Sequence, residues 1–232
     1  MQANDPTRLG SSPIVGAGHA VRLSLSETQA LCAKAARGAG FDWGHAEEAG
    51  RAAQWLAARG LPGCEMLLHR LRTDALRLRA LEATHPAPLC PVHLGTALAD
   101  HATLPEVTGQ TTLELGQIAV PGLLLPFLAT AARKTMRDLR LCANAASLTF
   151  HADGPCEDDA ALSALCTLTR AQTRVTFLPE EQPAPPPRDP VAELPLVPQH
   201  VWLALDALAL RVTVPSSSRS ASGAGSTGSD ND

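Results

Sequence analysis

The sequence predicts an α+β fold: a three-helix unit at the N-terminus, then a small antiparallel sheet with helices packed against it. Three observations carry that reading. Between residues 24 and 78, apolar residues recur at three- and four-residue spacing behind recognisable helix caps. From residue 111 onward, β-branched and alternating segments replace that periodicity. Hydrophobic residues make up 45% of the 232 and charged residues only 18%, enough apolar surface for one sizeable core.

Helix one is expected over residues 25–37. Ser24 and Glu27 form the S-x-x-E capping box, Leu31, Cys32 and Ala35 follow at helical spacing, and Gly38 or Gly40 can take the left-handed end. Asp42 is placed to cap a second helix, with Glu47 and Glu48 read as first-turn carboxylates. Ala46, Ala49, Ala53, Leu56 and Ala57 make its narrow apolar stripe, which ends at Gly60. Pro62 opens helix three, where Cys64, Leu67, Leu68, Leu71, Ala75 and Leu78 keep the period. Such small, Ala-rich faces predict close helix–helix packing.

Residues 85–109 contain prolines and histidines and read as a connector. Residues 111–120 are strand-like, and residues 122–133, apolar nearly all round, read as a buried helix opened by Pro121. Leu139, Leu141, Leu148 and Phe150 alternate about Asn144-Ala145-Ala146, a hairpin pattern. Asp158 can cap a short helix to residue 168, residues 174–178 read as a strand, and residues 199–210 as a helix. The Pro-rich stretch 179–198 reads as an extended loop. The α+β domain is therefore expected over 21–214. Residues 1–20 form a disordered extension and residues 215–232 a flexible Ser/Gly-rich tail. With no Tyr and 3% aromatics, the core is expected to be aliphatic, anchored by Trp43, Trp55 and Trp202.

A net charge of −4 and the scarcity of aromatics argue against nucleic acid as a partner, since phosphate binding needs a basic face and base stacking needs rings. The longest apolar run, 118–132, is broken by Pro121 and Pro126 and is too short for a bilayer, so no membrane is expected. The N-terminus lacks the basic-then-apolar pattern of a secretory signal. The expected setting is the cytoplasm, with the six cysteines reduced.

His85, Cys90, His93 and His101 are the densest potential metal ligands. Cys90-Pro-Val-His93 has the pair spacing of a zinc site, with His85 and His101 as possible third and fourth ligands, but the second Cys or His pair that makes such signatures specific is missing. No structural zinc and no cofactor are therefore expected. His45 and Glu48, three apart on helix two beside Trp43, are the candidate general acid–base pair, although helix-end electrostatics also explains them. No serine or cysteine sits in a nucleophile-elbow motif. Gly16-Ala17-Gly18 and Gly223-Ala224-Gly225 lack the strand-before and helix-after context of a dinucleotide fingerprint. In the tail, Arg219 with Gly223 and Gly225 could close over an anionic ligand.

Two strings resemble a bacterial domain-of-unknown-function family. One is AKAARGAGFDWGHAEEAGRAA (33–53), within the similar stretch 23–63; the other is the S-R…G-A-G…D-N-D tail within 214–232. The resemblance implies no activity, cofactor or catalytic residue, but it implies that the tail has a function. The helix-one and helix-two string is also similar to the N-terminal helices of bacterial malate/lactate-type NAD(P)-dependent dehydrogenases, without their cofactor-binding portions. The sequence thus reads as a soluble, non-enzymatic accessory or small-ligand-binding protein, its partner an unidentified small molecule or protein. The rival reading is an enzyme of small-molecule metabolism with a site between helix two and the tail.

Overall fold

A computed structural model describes residues 19–73, 88–153, 158–178 and 194–212. It is α+β. Helix α1 (Leu25–Gly38) starts at the expected capping box, with Ser24 accepting from the Glu27 N–H while the Glu27 carboxylate accepts from the Ser24 N–H at 2.7 Å. Gly40, at φ +104°, turns the chain out of the helix. Helix α2 (Trp43–Ala57) is capped by Asp42, and its buried Ala46, Ala49, Ala53 and Leu56 are the predicted stripe. Glu47 and Glu48 fall beyond its first turn, so the macrodipole does not explain them. Helix α3 (Gly63–Arg72) follows. Helices α1 and α2 approach closely because Gly50 leaves no side chain between them.

The expected connector holds a helix, α4 (Pro91–His101), followed by a single turn, α5 (Pro105–Thr108). Pro91 stands in the first turn of α4, where a missing N–H costs nothing, so the proline marks a start and not a loop. Behind it, buried Val92, Gly95 and Ala99 repeat at three and four residues, a stripe too small to stand out in the sequence.

Strands β2 (Thr112–Ala119), β3 (Leu139–Ala143), β4 (Ala146–Phe150) and β5 (Arg170–Phe177) form one antiparallel sheet in the order β2-β5-β3-β4. The β3–β4 turn places Asn144 at φ +52°, and its side-chain oxygen accepts from the Gln172 N–H at 3.0 Å. Strand β5 begins four residues before the expected 174. Its inward positions are Ala171, Thr173, Val175 and Phe177, and the polar Thr173 hides the alternation by donating to the Gly116 carbonyl at 3.0 Å. Gly116, at φ +75°, lies at the register shift in β2.

The segment after β2 is a 3-10 turn (Pro121–Leu124) leading into α6 (Leu125–Thr135), and residues 121–128 are buried throughout. It touches α2, α3 and α4 on one side and β4 and β5 on the other, which accounts for its all-round hydrophobicity. Helix α7 (Asp159–Cys166), capped by Asp158, covers β4. The last residues of the expected Pro-rich loop form β6 (Leu196–Pro198), paired antiparallel with β1 (Ala20–Arg22), and α8 (Gln199–Ala209) then packs on α1. That strand pairing joins residues far apart in sequence, so no local pattern announces it. The core is aliphatic with Phe41, Phe127, Phe150 and Phe177. Trp55 and Trp202 pack against it, but Trp43 is 68% exposed and anchors nothing there. Among the described residues, no helix is long and apolar enough to cross a membrane.

Candidate metal centre

The beginnings of α2 and α4 meet. Asp42, the residue before α2, accepts the His45 backbone N–H at 2.9 Å and binds His45 Nδ1 at 2.6 Å. Both bonds, the backbone one first, hold the Asp42 carboxyl below its ordinary range.

His93 projects from the first turns of α4. Its ring stands 4.0 Å from that of His45 and 5.1 Å from that of Phe41, centroid to centroid. Its Nδ1 is buried and has no hydrogen-bond partner of good geometry among the described residues. Donor atoms of Asp42, His45 and His93 all lie within 4.8 Å of one another. Tetrahedral ligation at the usual 2.1 Å puts donors about 3.4 Å apart, so small side-chain rotations would close the set on one ion.

Cys90 precedes α4 and is 4% exposed. Its backbone is clamped from the preceding residue, because Leu89 donates to the Gln117 carbonyl (2.8 Å) and accepts from the Ala119 N–H (3.1 Å). Burial works to raise the Cys90 pKa. Hydrogen bonding from the His93 side chain and backbone, together with the positive fields of Arg70 and His93, outweighs it and lowers the thiol to about 7. Arg70 itself is 1% exposed, with Nε and Nη2 unpartnered among the described residues.

Of the residues singled out in the sequence, the fold thus brings together His45 and His93, with Cys90 at the start of the helix that carries His93. It does not join His45 to Glu48, since Glu48 and Glu47 both engage Arg51. Trp43 lies outward with the Arg37 guanidinium 5.0 Å from its ring centroid. His101 is at the far end of α4, about 12 Å along the axis from His93 at 1.5 Å per residue. His85, Arg219, Gly223 and Gly225 lie outside the described residues. Asp42 and Arg70 were not read as site residues from sequence. Asp42 had a sufficient explanation as a cap, and the single signal that could have found it is its i, i+3 spacing to His45.

Residues 23–111 match the family described as "Protein of unknown function (DUF3726)". That stretch is well under half of the chain, and it contains Asp42, His45, Arg70, Cys90 and His93. The tail string lies beyond it. No curated protein and no solved structure matches the chain.

Proposed function

We propose that this is a small-ligand-binding protein whose ligand is a divalent transition-metal ion held by Asp42, His45 and His93. The observation that carries the reading is the convergence of three donor atoms within 4.8 Å from the starts of two helices. Two imidazoles and one carboxylate suit zinc and its neighbours rather than calcium or magnesium, which prefer all-oxygen sets. The buried Nδ1 of His93, without a hydrogen-bond partner of good geometry among the described residues, supports it, because such an atom costs free energy that a ligand would recover.

Calorimetric titration of metal-free protein with zinc tests this. The expected result is one ion per chain, with affinity reduced about 10-fold or more in His45→Ala and in His93→Ala. Absence of binding, or binding indifferent to both substitutions, would overturn the proposal.

A further inference from the structure

We propose that Cys90 is the fourth ligand of this site, making it a Cys-His-His-Asp set of the kind that favours zinc. The inference rests on the metal reading above and adds the donor that decides which metal is held.

The two helix starts present the same local device. Asp42-x-x-His45 places a carboxylate just ahead of α2 and an imidazole three residues on. Cys90-x-x-His93 places a thiol just ahead of α4 and an imidazole three residues on. At i, i+3 the two members of each pair share one face of a helical turn. The rings of His45 and His93 are in contact, so the two faces oppose each other. Two such pairs from separate segments are the usual construction of a closed zinc site, and the sequence by itself shows only one of them.

Cys90 is also free for the role. Among the described residues it forms no disulfide. Its side chain is buried, and Leu89 before it is held on β2 by two backbone bonds that fix the approach of the chain. The Cys90 sulfur stands outside the 4.8 Å set formed by the other three donors. Closing the set therefore requires the sulfur and the other three donors to draw together on binding, as in metal sites that complete themselves when loaded. Ligation replaces the S–H bond by a sulfur–metal bond and releases the proton to solvent. The resulting charges balance, since one carboxylate and one thiolate offset a divalent ion beside two neutral imidazoles. The Arg70 guanidinium, whose Nε and Nη2 have no partner among the described residues and whose field acts on the same sulfur, is suited to hydrogen-bond a metal-bound thiolate.

Cobalt(II) added to the metal-free full-length chain reads the ligands directly. The expected spectrum has a sulfur-to-cobalt charge-transfer band in the near ultraviolet and the intense visible bands of a tetrahedral ion. Both should persist in Cys142→Ala. In Cys90→Ser the charge-transfer band should vanish and the affinity fall about 10-fold or more. X-ray absorption of the zinc form of the unaltered protein gives a check independent of the variant's folding, with one sulfur expected at about 2.3 Å. Cobalt bound with no sulfur band and no sulfur shell would overturn the role of Cys90 and leave the three-donor site standing. No cobalt or zinc bound at all would overturn both.

Discussion

Replacing Gly50 with alanine should destabilise the protein although it improves helix propensity. Gly50 is buried in the middle of α2, and a Cβ there would sit 2.6 Å from the Gln29 carbonyl oxygen, 2.9 Å from Ala33 Cβ and 3.2 Å from Ala33 N, all on α1. Two opposing effects act. Removing a glycine from a helix interior stabilises by about 1 kcal/mol. Overpacking a tight interface costs about 1–3 kcal/mol, and here the upper part of that range applies, because two of the three atoms belong to backbone that cannot rotate away. The net expectation is a loss of about 1–2 kcal/mol. In a chain of this size that lowers Tm by about 2–8 °C. Scanning calorimetry of Gly50→Ala beside Gly44→Ala is the assay. Gly44 lies in the first turn of the same helix, and its nearest atom would be Asp42 Oδ1 at 3.6 Å, ordinary contact. Gly44→Ala should therefore keep or slightly raise Tm. If Gly50→Ala melts at or above the unaltered protein, the claim that small residues set the α1–α2 distance is wrong.

Two pH-dependent outcomes follow from the same geometry. Burial raises the Glu65 pKa, so this group contributes stability fully present below its unfolded value of 4.5 and lost as pH rises through the folded value. Glu65→Gln should then be more stable than the unaltered protein to urea at pH 7, with the gain absent at pH 4; equal stability at both would refute it. Cys90 has the opposite sign: its pKa falls from 9.0 to about 7, so in chelator-treated protein its contribution is present above pH 9 and lost as pH falls through 7. That shift corresponds to about 3 kcal/mol as an upper estimate. Urea unfolding should show Cys90→Ser losing more stability relative to the unaltered protein at pH 9 than at pH 6.5, and parallel pH profiles would contradict the assignment.

How far the chain could be read in advance depended on whether a feature was local. The capping box at Ser24 and Glu27, the Asp42 cap, the stripe of α2 and the hairpin turn at Asn144 each depend on residues within one or two turns, and all stand where the sequence placed them. Helix α4 was missed because its stripe is made of Val92, Gly95 and Ala99 and its first residue is a proline, so composition outweighed periodicity. Trp43 was misplaced in the core because size alone says nothing about direction. It stands at the first position of α2, outside the buried stripe.

The candidate centre divides in the same way. Each half-pair, Asp42 with His45 and Cys90 with His93, is written in the sequence as an i, i+3 spacing. Neither half is specific, because such pairs arise wherever a helix is capped or a histidine follows a cysteine. What the sequence by itself determined was the α+β pattern, the helix starts and the donor types available at each. Only the tertiary structure decided that α4 exists beside α2, that the rings of His45 and His93 meet at 4.0 Å, and that the Arg70 charge is buried with its field on Cys90. The reason is physical. Helix caps are satisfied by neighbours in the chain, whereas the approach of two helix starts is set by the packing of α2 and α4 on the segment 121–135, contacts that join residues tens of positions apart.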